Sequence, residues 1–204
     1  MNATLIIMPG SPALVPHLAP ADTVGAHLLA QVRHLLDQEL QGNDRPIALV
    51  SSRAQDWFTA HTGSLRAWGA PEVQVSAGNY LAEIVQRFAL GEYENRVISV
   101  RDRLEEINPE ALTLLALDGP TGLTQRAPSA LVPGALEADQ WCRDVLAGTT
   151  SEIPTASSLI DASLREPQLW LDLASTSTRC AEAVLLESDL SFGVGRYVAR
   201  WNIH

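Results

Sequence analysis

The sequence contains no lysine: all fourteen of its basic residues are arginine. That absence removes Schiff-base catalysis and every phosphate-binding loop that depends on a lysine ammonium. Cysteine is scarce as well. Cys142 and Cys180 stand far apart and form no C-x-x-C pair, so neither a disulfide framework nor a zinc knuckle is expected, and two small buried thiols in a reducing cytoplasm are. No apolar run approaches the roughly 20 residues of a membrane span. The first run, "LIIM", is broken by Pro9 and follows no basic segment, so a secretory leader is not expected either. Cationic charge is in deficit: 24 acidic residues face the arginines, for a formal charge of −10. The average field repels phosphate backbones and anionic membranes, and nucleic acid is excluded as an expected partner.

What is present is the composition of a globular chain, 46% hydrophobic and 19% charged over 204 residues. That suits one core and a single domain spanning 1–204. "TLIIM" at 4–8 reads as a buried strand, followed by a proline-rich loop and a helix starting near Asp22 through Val24, Leu28, Val32, Leu35, Leu36 and Leu40. "PIALVSS" at 46–52, "EVQVS" at 72–76, "RVISV" at 96–100 and "ALTLLAL" at 111–117 are further strands. "NYLAEIVQRFAL" makes an amphipathic helix, and "RDRLEEINPE" a short helix and turn. The second half is more helical, with helices expected in "LEADQWCRDVLAG", "TASSLIDASL" and "EPQLWLDLAS", the last begun by Pro167. "AEAVLLESD" and "GVGRYVARW" close the chain, the latter as a final strand or hairpin.

Strands alternating with helices predict an α/β domain with a mixed or mostly parallel central sheet and helices on both faces. In such sheets ligands bind beyond the carboxyl ends of the strands, a rule that points to three loops: 9–17, 52–70 and 118–128. The first has Gly10 and Ser11 at its corner and His17 as its one ionisable side chain. The second carries "HTGSLRAWG", where His61, Ser64, Arg66 and Trp68 share a glycine-hinged segment able to bind an anion through Arg66 or a metal through His61. The third begins at Asp118, a carboxylate at the end of the most apolar strand that can bind a metal, orient a histidine or cap its own turn. His27 and His34 share a helix face but lie seven residues apart, too far for one ion. No G-x-S-x-G, G-x-G-x-x-G in a strand-to-helix context, or Walker loop is present. The five tryptophans fit either a core or an interface, including one between copies of a homo-oligomer.

Four segments together resemble proteins with a class III extradiol dioxygenase-like fold. "IIMPGSPALVPHLA" looks like their opening strand and histidine- and proline-rich loop, and "LLALDGPTGLTQRAPSA" resembles their later glycine, aspartate and serine segment. "GSLRAWGA" is similar to a "GSFRGFGA" loop, and "SFGVGRYVARW" to a closing "PYGVGYFVG" strand. The resemblance implies an α/β protein whose active relatives hold ferrous iron with two histidines and a carboxylate. The open positions take a catechol and dioxygen, and a further histidine serves as acid or base. The family's first-loop ligand falls at Gly10, and its acid/base histidine falls close to Thr121, beside Pro120. His61 lies in the region of the second ligand; Glu182 and Glu187 are the loose candidates for the carboxylate.

A glycine cannot replace an imidazole ligand, and losing one protein ligand of three lowers iron affinity by orders of magnitude. The expectation is therefore a pseudoenzyme without ring-cleavage activity and without a cofactor, binding a small molecule or another protein. The pocket candidates are Gly10, Ser11, His17, His61, Ser64, Arg66, Asp118 and Thr121. The alternative is an Fe(II)- or Zn-dependent oxygenase or other metalloenzyme in which His17 swings in to join His61 and Asp118.

Overall fold

A computed structural model describes residues 3–149 and 152–204. The first apolar run forms β1 (Ala3–Met8), buried along its whole length. Its side chains alternate: Ile6 and Met8 enter one apolar cluster, while Ala3, Leu5 and Ile7 enter another on the opposite face. A strand covered on both faces is apolar at nearly every position, and β1, with the buried Thr4 as its one polar residue, is accordingly central. Two prolines and a single 3-10 turn at Pro12–Leu14 follow, capped by Ser11, whose Oγ accepts from Ala13 N–H (3.3 Å).

Helix α1 (Thr23–Leu40) starts where Asp22 accepts the Gly25 N–H (2.9 Å), and buries Leu28, Val32, Leu35, Leu36 and Leu40 against the sheet. Val24, expected on that apolar stripe, is instead 38% exposed. The chain then builds β2 (Ile47–Val50), the short pair β3 (Ser64–Leu65) and β4 (Ala70–Gln74), helix α2 (Leu81–Leu90), β5 (Val97–Arg101) and β6 (Leu112–Ala116). Helices α3 (Ala135–Leu146), α4 (Ala156–Asp161) and α5 (Pro167–Thr176) precede the closing hairpin of β7 (Cys180–Asp189) and β8 (Arg196–Ile203).

The six-stranded sheet runs β5-β2-β6-β1-β8-β7. β5, β2, β6 and β1 are parallel neighbours, whereas β8 is antiparallel to both β1 and β7. The molecule is thus an α/β single domain with a mixed, mostly parallel sheet. Helices α1 and α2 cover one face, and α3, α4 and α5 the other. No helix among the described residues is long and apolar enough to cross a membrane.

Two sequence expectations change. "EVQVS" does not enter the main sheet: the strand is Ala70–Gln74, and it pairs only with β3 in a separate two-stranded ribbon. "RDRLEEINPE" forms no helix. Residues 102–111 run as an irregular segment tied to α5, where Asp172 accepts from Arg103 Nε (2.7 Å) and Nη2 (2.8 Å) and from Leu104 N–H (3.2 Å). A tertiary carboxylate here replaces the hydrogen bonds a helix would have supplied.

β1 and β6 are adjacent and parallel, yet their connections leave toward opposite faces, β1 into α1 and β6 into α3 to α5. Divergent exits of this kind open a crevice beyond the carboxyl ends of the two strands.

Candidate functional site

In that crevice lies a cavity of about 320 Å³, reached by all three loops that the sheet rule singled out. Gly10 and Ser11 come from the β1 loop, Ser52, Trp57 and Trp68 from the segment between β2 and β4, and Asp118, Gly119, Thr121 and Pro128 from the segment after β6. Leu81 and Ala82 at the start of α2, and Arg165 and Glu166 just before α5, add to the walls. A more open recess of about 490 Å³ shares Thr121 and Arg165 with it and extends toward Ile160 and Val132.

Asp118 is held from its backbone. Leu117 N–H donates to the Met8 carbonyl (2.9 Å), and Gly119 N–H to the Gly195 carbonyl (2.7 Å). The Asp118 carbonyl accepts from Trp170 Nε1 (2.8 Å). Trp170 is fully buried and packs edge-on against Tyr197, ring centroids 5.9 Å apart. The Tyr197 hydroxyl in turn donates to the buried Asp139 carboxylate and lies against Gly119 and Gly195, where a Cβ at either position would overlap it. Both glycines are therefore required by space at this corner.

The Asp118 carboxyl is pushed up to about 7. Burial is the main cause; the Gly10 and Ser11 amides and the Arg196 charge pull the other way, and Glu166 adds to the rise. Its Oδ1 is buried and has no hydrogen-bond partner among the described residues. Glu166 is also raised by burial, against the Ser52 hydroxyl and Trp57 indole that face it and the nearby Arg165 charge. Two carboxyl groups whose environments disfavour their ionised forms thus share one largely apolar cavity.

Of the residues expected from sequence, the structure brings Gly10, Ser11, Asp118 and Thr121 together at the cavity. His17, His61, Ser64 and Arg66 are not among its lining residues. His17 is solvent-exposed, its ring edge-on to Phe88 with centroids 6.5 Å apart. His61 is exposed on the loop leading into β3, where its N–H donates to Thr59 Oγ1 (3.0 Å). Ser64 is buried, accepting from Arg66 N–H (3.2 Å) and Gln74 Nε2 (3.3 Å), while the Arg66 side chain is exposed and pairs with no carboxylate among the described residues. His17, His61 and Asp118 therefore do not converge, and no group of three His, Cys, Asp or Glu side chains among the described residues is placed to hold a metal ion. Glu182 and Glu187 lie on the edge strand β7, where they engage Asn202 Nδ2 (2.9 Å) and His27 Nε2 (3.0 Å).

Gly10 gains a structural reason. A Cβ there would stand 3.3 Å from both Ala82 Cβ and Asp118 Oδ2, a tight fit that requires a neighbour to give by a few tenths of an ångström. Thr121 is engaged as well: its Oγ1 lies 2.7 Å from Ser129 Oγ and 3.1 Å from the Ser163 carbonyl, pinning the post-β6 segment to the turn after α4.

The residues that sequence reasoning missed are Trp57, Arg165 and Glu166. Trp57 fell inside the loop expected to matter, but a lone indole there is indistinguishable from core. Glu166 was hidden by its role as the residue preceding Pro167; a charged pair placed directly before a proline-started helix was the available signal.

Fold and site together define an α/β domain with a switch-point cavity that carries two carboxyl groups and two indoles. No family model matches the chain, and no curated protein matches it.

Proposed function

We propose that this chain binds a small organic molecule in the cavity beyond β1, β2 and β6, and that it does not perform the metal-dependent ring opening implied by its resemblance to extradiol dioxygenase-like proteins. The observation that carries the reading is the cavity itself: apolar walls, a few convergent polar groups, and a position at the topological switch point. The loss of ring cleavage rests on the ligand positions. Gly10 carries no imidazole and leaves only tight room for a Cβ, Thr121 is hydrogen-bonded to Ser129 and the Ser163 carbonyl, and the candidate imidazoles are turned to solvent. Both cysteines are free thiols, Cys142 buried and Cys180 partly so, which fits a reducing compartment such as the cytoplasm.

The test is ligand-observed NMR with an aromatic fragment library on the wild type and on Ala82→Phe, which places a ring into the cavity. Fragments that bind the wild type are expected to be lost in the variant. Hits that bind both proteins equally, with both folded by circular dichroism, would place the ligand elsewhere and overturn the reading. In parallel, protein incubated anaerobically with Fe(II) and then given catechol and oxygen is expected to leave the ring intact. Ring-opened product that disappears in His61→Ala would restore the metalloenzyme alternative.

A further inference from the structure

We infer that the ligand class of this cavity is an organic cation, an ammonium or amidinium attached to an apolar body, with its N–H groups on Asp118 and Glu166 and the body against Trp57 and Trp68. The inference rests on the cavity being the ligand site and adds the chemistry of what enters it.

Charge makes the first argument. The ionisable side chains lining the cavity are Asp118, Glu166 and Arg165. Arg165 is an exposed residue whose guanidinium lies 5.8 Å from the Trp57 ring centroid, so its charge is shared with solvent and with the indole. The cation acting on Asp118 is Arg196 at the start of β8. It is 1% exposed and bound to the carboxylates of Asp22 and Asp189, the latter through Nη2 at 2.6 Å and Nε at 2.9 Å. A cluster of one arginine and two aspartates cannot neutralise a third carboxyl group. The two carboxyl groups of the cavity therefore outnumber its one cation, the exposed Arg165, whose charge acts on Glu166.

Hydrogen bonding makes the second, independent argument. Asp118 Oδ1 is a buried acceptor with no donor among the described residues. Leaving an acceptor unpaired in an apolar site costs free energy, and a ligand N–H offsets that cost when the Asp118 carboxyl turns Oδ1 from its buried position toward the cavity. An alcohol could donate one such bond, but it would leave the two carboxyl groups repelling each other. An anion would add a third negative group. A cation answers both, while Trp57 and Trp68 give its apolar body indole surface to pack against. The net charge of −10 draws cations toward the protein at long range.

Cation binding favours the ionised form of Asp118, so affinity depends on pH. The charged groups acting on Asp118 are Glu166 from the segment before α5 and Arg196 from β8, with Arg165 at the cavity wall. The experiment is isothermal titration of the full chain with benzylammonium, benzyl alcohol and benzoate, at about pH 6 and about pH 8, where benzylammonium stays charged. Benzylammonium is expected to bind at least about tenfold more tightly than the alcohol and to bind more tightly at the higher pH, with benzoate weakest. Asp118→Asn is expected to weaken benzylammonium by about tenfold or more and to abolish the rise with pH, with circular dichroism reporting that the variant is folded.

Alcohol or benzoate binding as tightly as benzylammonium overturns the inference and leaves the cavity as the ligand site. Binding of none of the three overturns it too, and the fragment comparison with Ala82→Phe then decides separately whether the cavity takes ligands at all.

Discussion

Asp118 carries the sharpest consequence at the scale of single residues. Its carboxyl group titrates near 3.8 in the unfolded chain and at about 7 in the folded one. Below the first value both states hold the proton. Between the two values only the folded state does, so stability declines as pH rises through this window and levels off above about 7. Asp118→Asn removes the titration. The unfolding free energy of the wild type minus that of the variant is therefore expected to fall from about pH 4 toward about pH 7 and stay flat beyond, as read from urea melts across that range. A pH-independent difference would mean that Asp118 is not desolvated. Arg196 sets a second expectation. Arg196→Met leaves the Asp22 and Asp189 carboxylates facing each other without their cation and should cost roughly 3–5 kcal/mol in the same assay. The aromatic residues divide by position. Trp170 and Trp201 are core, Trp57 and Trp68 line the cavity, Trp141 packs on Trp170, and none is left as an exposed interface residue.

Among the elements, those with strong local periodicity or a clear cap were legible. Helix α1 could be read from its apolar spacing and from Asp22, and α5 from Pro167 at its first turn. The elements misread were those whose state depends on a distant partner. Residues 102–111 have the composition of a short helix, but Asp172 on α5 takes Arg103 and the Leu104 amide, and the segment follows that anchor instead. Asp172→Ala is accordingly expected to cost about 1–3 kcal/mol and to speed hydrogen exchange at the Leu104 amide while leaving exchange in β6 nearly unchanged. Equal acceleration in both would show that the anchor stabilises the whole domain and not the segment. "EVQVS" alternates as a sheet strand should, yet its partner is the two-residue β3; alternation reports that one face is covered and says nothing of which strand lies beside it.

At the scale of the whole molecule the sheet order makes the site. Placing β6 beside β1 and sending their connections to opposite faces opens the cavity and aims Asp118 at the Gly10 corner. Gly10→His is therefore expected to destabilise the protein and to create no tight iron site, because its side chain would meet Ala82 and Asp118 while His61 stays in solvent. Stoichiometric iron retained by that variant after dialysis would contradict this packing. By itself the sequence determined the α/β class, the positions of most core strands and helices, and three loops that reach the cavity, since each follows from local periodicity and from where apolar runs stop. Only the tertiary structure decided which side chains meet: Glu166, Arg165 and Trp57 with Asp118, and not His17 or His61. Neighbour relations between strands, and the direction in which a loop turns its side chains, are set by packing across the sheet, and no local pattern in the chain encodes them.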